Sequence, residues 1–449
     1  MLRLLPVFLA SLFGAASAQP AALSPFAFGA ADDPLEMPVR DARPRVARLM
    51  ALTGPSYIGV SWRGGIGLEA DLAAGPLSLG IGGRLRVSDG LYEEDFDDTY
   101  DLLRLVRYAR LDPTPRLPVY ARVGPVRQLT LGPGHLVRAF QTTSAWDHRT
   151  VGLETAVQLP FVRVMGVADD VRLNGLVGGR GEIRPFERAL SPFLQSVTVG
   201  ATAVTDLRLP ADTATTAFAV DARLALWQIG DFALSPYASY ARFTEYGSGY
   251  GGGVEFASRD LAGFGRLGAA VGFSQSGERF IPGYFNAFYA LSNPGARILD
   301  DEAFFASGSP VPVGTPLDEA AGGFALNVGL HALVFNSFEF AGYVQRDFSG
   351  DDLTESTVRL AFAPGGGDPL RFVFEVQQQG RSGFFDLFTE YEAQNVLVFH
   401  LDYALPGPAW LVLRSRYGYE RLEDGPDGEA RYLVERRFEP FVGVRVALQ

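Results

Sequence analysis

Cysteine and lysine are both absent from this chain of 449 residues. Without cysteine there is no disulfide, no thiol catalysis and no thiolate-bound metal. Without lysine every basic residue is an arginine, a bias of codon usage or habitat that says little about function. Histidine is scarce. His135, His148, His331 and His400 are scattered with no His-x-x-x-His spacing, so neither a metal site nor a cofactor is expected. An excess of positive charge is also missing. The net charge is −12 and the pI about 5.0, which argues against nucleic acid or an anionic surface as the main partner. Beyond the N-terminus no apolar run reaches helix-spanning length, which excludes a helical membrane protein.

What is present begins with MLRLLPVFLASLFGAASAQP. Arg3 is a positive n-region, Leu4 to Ala16 an apolar core, and Ala16-Ser17-Ala18 a small-residue cleavage site. Residues 1–18 are expected to be a signal peptide, so the chain is exported. Residues 19–55 lack strand alternation, and Ala42 to Leu52 reads as one short amphipathic helix. They are expected to form a periplasmic extension or a plug at a barrel mouth, with residues 56–449 forming the barrel.

Gly (52), Phe (34) and Tyr (17) are abundant, as suits an all-β chain of close-packed strands. Alternation of period two recurs from Tyr57 onward. In FALNVGLHALVF, Phe324, Leu326, Val328 and Leu330 oppose Asn327 and His331. In PLSLGIGGRLRV, Leu79, Ile81 and Leu85 oppose Arg84 and Arg86. Elsewhere the polar parity carries Glu154, Arg223, Glu339, Glu375, Arg414 and Arg416. A soluble sandwich also exposes charges on one face. Here, however, the chain is exported, the strands do not divide into sandwich-sized groups, and no helices supply a separate core.

A large single sheet avoids open edges by closing. The sequence therefore predicts a transmembrane antiparallel β-barrel of about 18 strands, within a range of 16–20, with the apolar parity on lipid and the charged parity on a wet lumen. Tyr417, Tyr419, Trp227, Tyr237, Phe335 and Phe348 fall near predicted strand ends, where aromatic girdles sit. Short turns at Ala74-Gly75 and Pro406-Gly407 suit the periplasmic side. Ser88–Asp101, Leu291–Ala321 and Arg421–Tyr432 suit the outside. The final strand ends on Gln449, where assembly signals of such barrels usually end on an aromatic residue.

The stretch Tyr100–Glu154 carries Arg107-Tyr108, Tyr120-Ala121-Arg122-Val123-Gly124, Thr130-Leu131-Gly132-Pro133-Gly134, and Arg149 ahead of Gly152-Leu153-Glu154. This segment resembles a family of uncharacterised bacterial outer-membrane β-barrel proteins, porin-like in type. The resemblance covers about an eighth of the chain. It implies location and fold, and no substrate. Gly132 and Gly134 would permit a tight backbone passage. Arg107, Arg110, Arg122 and Arg149 would gather with Asp101 and Glu154 as an internal ion-pair network, which outweighs an anion-selective constriction.

The candidates for lining or constricting the lumen are thus Arg84, Arg86, Arg107, Arg110, Arg122, Arg149, Glu154, Arg223, His331, Glu339, Glu375, Arg414 and Arg416. Catalysis is not expected. Ser144 lies four residues before His148, but no lipase motif surrounds it. GSGYGG (Gly247–Gly252) has strands on both sides, which suits a hairpin and not a dinucleotide loop. The acidic runs Glu93–Asp98, Asp300–Glu302 and Asp351-Asp352 lack calcium-loop spacing and read as solvated loops. The expected function is a passive, porin-like channel for small solutes, with outer-membrane lipid and the barrel assembly machinery as partners and the oligomeric state left open. The alternatives are a barrel filled by residues 19–55 or Leu291–Ala321 with a structural or ligand-binding role, or a carrier for apolar compounds.

Overall fold

In the computed structural model, residues 47–448 are described except for 89–95, 97–98, 147–148, 190, 209–214, 230–231, 259–263, 290, 292–296, 300–310, 313–316, 336, 349–353, 363–369, 380–394 and 422–430. The expected signal peptide, most of the expected extension, His148, nearly all of Glu93–Asp98 and the other acidic runs lie outside the described residues.

The strands are β1 (Ala47–Ile58), β2 (Ser61–Ala74), β3 (Leu77–Val87), β4 (Val106–Leu111), β5 (Val119–Gly124), β6 (Gly152–Gln158), β7 (Val162–Ala168), β8 (Leu176–Ile183), β9 (Thr198–Asp206), β10 (Thr216–Arg223), β11 (Trp227–Ile229), β12 (Phe232–Phe243), β13 (Ser248–Ser258), β14 (Gly265–Ser276), β15 (Arg297–Leu299), β16 (Val311–Pro312), β17 (Gly323–Val334), β18 (Phe338–Asp347), β19 (Thr354–Phe362), β20 (Leu370–Gln379), β21 (Asn395–Ala404), β22 (Ala409–Arg421) and β23 (Arg431–Leu448). Each wall strand pairs antiparallel with its neighbours, β10 with β12 and β14 with β17 included. The ring closes where β1 meets β23, Ala47 opposite Leu448. The short β11, β15 and β16 are accessory, which leaves twenty strands in the wall.

Twenty is the top of the predicted range, above the expected eighteen. Two causes account for the difference. β1 carries Pro55 and lacks clear alternation. It nevertheless joins the wall over residues 47–58, so the barrel begins at Ala47 and not at 56, and the helix expected over Ala42–Leu52 gives way to strand from Ala47. β4, β5 and β6 hold only 6, 6 and 7 residues, shorter than a spanning strand is expected to be.

Both termini of the wall lie at one end, with the short turns. Gly75 and Gly407 turn there at φ +58° and +75° in open space, so backbone conformation alone calls for glycine. The connections Ser88–Asp101, Leu291–Ala321 and Arg421–Tyr432 all leave from the opposite end.

The faces sort as the alternation requires. On β17, Phe324, Leu326, Val328 and Leu330 point outward, whereas Asn327 and His331 are each 6% exposed inside. Val442, Val444 and Val446 of β23 face outward, and Glu435, Arg437 and Glu439 inward. Apolar residues around a polar interior invert the pattern of a water-soluble protein, and the chain is an outer-membrane β-barrel. The girdle differs from expectation in part. Trp227, Phe335 and Phe348 are exposed on the outside, but Tyr237 and Tyr419 are buried inside.

Val328 sits mid-strand, opposite Val271 of β14 and Val344 of β18. Val328→Arg should cost about 2–4 kcal/mol near the bilayer midplane. Equilibrium unfolding from phospholipid vesicles checks this, and a loss below about 0.5 kcal/mol would contradict the outward assignment.

Candidate functional site

Two connections from the end opposite the short turns fold into the barrel. The first joins β5 to β6 and contributes Val126, Leu129, Leu131, Leu136, Val137 and Phe140. The second follows β14 and contributes Phe280, Tyr284, Phe285, Phe288 and Tyr289. They bond to each other: Arg138 N–H donates to the Phe285 carbonyl at 3.0 Å, and Phe285 N–H to the Leu136 carbonyl at 3.1 Å. Together they form a plug.

Against β7–β10 and β12 the plug packs on Val167, Leu176, Val204, Ala217, Ala219, Ala241 and Phe243. These inward positions are apolar, and the three alanines leave room for rings. Phe243, Phe280, Tyr284, Phe285 and Tyr289 make tilted and edge-on contacts there, with centroids 4.9–6.0 Å apart. Half the ring away, Ala287, Phe288 and Leu291 pack on Val396, Val398, Tyr419, Tyr432 and Val434 of β21–β23. Tyr419 N–H donates to the Ser144 carbonyl at 3.1 Å, so the plug extends the sheet beside β22. The described plug therefore reaches opposite walls.

Polar anchors fix its position. Tyr289 OH donates to Asp206 at 2.5 Å on β9, and His135 Nδ1 lies 2.9 Å from Ser239 Oγ on β12. Arg138 reaches Gln345 on β18, Glu355 on β19 and the Tyr343 ring. Gly132 and Gly134 take φ +62° and +78°, and Gly132 lies against Arg180 and Asp221. Gln128 and Ala139 are also left-handed, which costs each about 1–3 kcal/mol, offset by the surrounding packing.

The wall below holds ion pairs. Along the seam Glu439 accepts from Arg84 (2.5 Å), Arg86 (2.9 Å) and Ser56 Oγ (3.0 Å). Glu69 faces Arg84, Arg107 and Arg414 at 3.2–3.4 Å. Arg414 and Arg445 flank Asp402. A small recess opens here beside Arg48, Met50, Glu69, Asp71, Arg107, Arg371, Asp402 and Arg445. On the far side His331 and Arg359 meet Glu339, and Arg359 reaches Glu375. Arg223 pairs with Glu255.

The single network expected around Arg107, Arg110, Arg122 and Arg149 is instead divided among separate neighbourhoods. Register aligns Arg110, Arg122 and Glu154 in one cross-strand row, with Arg122 3.0 Å from Glu154. Arg107 falls at a bulge opposite Gly80/Ile81, where the register shift re-aims it toward Glu69 and Asp71. Asp101 binds Arg104. Arg149 binds the carbonyls of Trp146 and Arg104. Arg416 binds the Thr143 carbonyl. Ser144 Oγ donates to the Ala287 carbonyl, which ties the two infolded segments together.

The expected plugs were residues 19–55 and Leu291–Ala321. Of the first, 47–55 are wall. Of the second, Leu291 and Leu317 join the packed interior and much of the rest is outside the described residues. The missed elements had one signal: NAFYAL and its neighbours put Phe280, Tyr284, Phe285, Phe288 and Tyr289 where an exposed loop would be polar.

No family model matches the chain, and no curated protein matches it. Among solved structures it is similar to OpdL of Pseudomonas aeruginosa, at 13% identity over 90% of this chain and 98% of that one, TM-score 0.33. It is similar to the outer membrane protein OpdK of Pseudomonas aeruginosa, at 11% over 90% and 99%, TM-score 0.31. It is also similar to Wzi of Escherichia coli, described as a carbohydrate binding β-barrel involved in group 1 capsule assembly, at 11% over 91% and 86%, TM-score 0.38.

Proposed function

We propose that this barrel is a constricted outer-membrane channel for small polar solutes, held closed at rest by the plug. One observation carries this reading: the infolded segments pack on β7–β12 and on β21–β23, walls that stand across the lumen from each other. An open general pore would keep its segments to one side. The charged inner wall suits water and polar solutes and disfavours a carrier for apolar compounds. Passage requires the plug to shift, and its contacts set how often that occurs.

The test is planar-bilayer conductance of the full chain and of a variant with residues 126–146 replaced by a short Gly/Ser linker. The intact protein should show brief or small openings, and the variant a steady conductance larger by about tenfold or more, as expected when a lumen-spanning obstruction is removed. A wild-type barrel that conducts steadily at the level of a wide pore would overturn the proposal, whatever the variant does.

A further inference from the structure

Trp146 stands in the first infolded segment, two residues beyond the junction with the second at Ser144. Three guanidinium groups surround its ring. The central carbons of Arg149, Arg416 and Arg127 lie 4.4, 4.7 and 5.7 Å from its centroid. Arg104 completes the group: Arg104 and Arg149 each donate to the other's carbonyl at 3.2 Å. The four come from separate places in the chain. Arg104 ends the short helical turn Asp101–Arg104, Arg127 and Arg149 belong to the connection between β5 and β6, and Arg416 projects inward from β22.

Elsewhere in the interior the arginines are matched by carboxylates. Arg84 and Arg86 have Glu439, Arg122 has Glu154, and Arg359 has Glu375. Around Trp146 the pattern changes. Arg104 holds Asp101. Among the described residues, however, the hydrogen bonds of Arg149 and Arg416 end on the backbone carbonyls of Trp146, Arg104 and Thr143. Glu375 and Glu435 lie near enough to Arg416 to act on its charge, but each is engaged in a closer pair, with Arg359 and Arg437. Burial, followed by the charges of Arg104 and Arg416, pulls the Arg149 guanidinium below its ordinary range. The indole face offsets part of this repulsion, and the Nε–H edges of Arg149 and Arg416, whose bonds to those carbonyls run from their terminal nitrogens, face another partner. Trp146 and Arg149 are only half-buried, so a small molecule can reach them.

We propose that Arg149 and Arg416, with Arg104 beside them, form around Trp146 a binding site for a small soluble oxyanion, a carboxylate- or phosphate-bearing solute entering through the barrel interior. Planar guanidinium forks match the paired oxygens of both groups, and the cluster's mutual repulsion is relieved when one binds. Because Arg149 rides on the plug and Arg416 on the wall, a bound oxyanion ties one to the other. That consequence for closure rests on the channel reading. Binding itself does not.

The test uses the purified full chain in an uncharged detergent, titrated by calorimetry with sodium citrate and separately with sodium phosphate. Sodium chloride of matched ionic strength is the control. Saturable binding of citrate or phosphate is expected, absent with chloride. Arg149→Gln and Arg416→Gln should each weaken it by about tenfold or more. Arg188→Gln, at an exposed turn, should leave it unchanged. Thermal melts of the same proteins separate binding from structure: the oxyanion should raise the wild-type melting temperature and fail to raise that of either variant. Absence of saturable binding by wild type overturns the site, as does equal binding by a folded Arg149→Gln or Arg416→Gln protein. Binding without any effect on conductance removes only the link to closure.

Discussion

Arg122→Met should destabilise the barrel by about 3–5 kcal/mol, since it strands a buried carboxylate. Arg122 is 1% exposed, and its Nη1 donates at 3.0 Å both to Glu154 and to the Pro125 carbonyl. Glu154 is 6% exposed on the neighbouring strand, directly opposite. Methionine keeps most of the volume and removes the charge, so the loss reads the cost of an unpaired Glu154 and an unbonded carbonyl, not of a cavity. The double variant Arg122→Met/Glu154→Leu should recover most of the stability, because an apolar pair of similar volume carries no such penalty. Pro125 opens the infolded segment, so the single variant should also loosen the plug. Urea unfolding in vesicles gives the energies. A loss under about 1 kcal/mol, or a double variant as poor as the sum of the two singles, would show that Glu154 is not left stranded when Arg122 is removed.

Much of the wall was legible because lipid and lumen impose opposite demands on alternate residues. The alternation of Phe324, Leu326, Val328 and Leu330 against Asn327 and His331 is enough to orient β17, and the same holds for Arg84 and Arg86 on β3 and for Arg414 and Arg416 on β22. Turn glycines and the lengths of connections also sorted these loops between the two ends of the barrel. What escaped had no alternation to display. β1 is broken by Pro55, and β4 relies on a bulge that puts Arg107 and Tyr108 on one side. The plug has no regular period at all. It is held by isolated bridges, left-handed residues and ring packing, so Val126–Phe140 and Phe280–Leu291 look like irregular connections until the wall they fill is known. The site arginines show the same division. Arg84, Arg86, Arg223, Arg414 and Arg416, on strands, were found by parity. Arg104, Arg127 and Arg138 were not, because a chain that passes inside a barrel brings together residues that no spacing relates.

Acid should release the plug through His135. Its imidazole is 5% exposed, 2.9 Å from Ser239 Oγ, edge-on to Phe280 and close to the backbone of Gly251. Burial, and secondarily the charge of Arg138, push it down to about 3 from the ordinary 6.5. The undocked histidine therefore takes a proton between those values while the docked one does not. Docking energy is fully present above about pH 6.5 and declines as pH falls toward 3. At about 1.4 kcal/mol per unit, the loss is on the order of 2 kcal/mol at pH 5, with a ceiling near 5 kcal/mol. Asp169, in the connection after β7, is pushed up to about 6 by burial and titrates in the opposite sense wherever it changes environment, so the wild-type profile alone is not decisive. Comparison with His135→Gln isolates the term, because glutamine can bond Ser239 and does not titrate. Channel openings in planar bilayers should become more frequent in wild type as pH is lowered from 7 to 5, by about tenfold or more, and much less so in His135→Gln. Equal profiles for the two proteins would mean that His135 keeps its surroundings when the barrel opens, and would move the hinge of the plug away from the contact with β12.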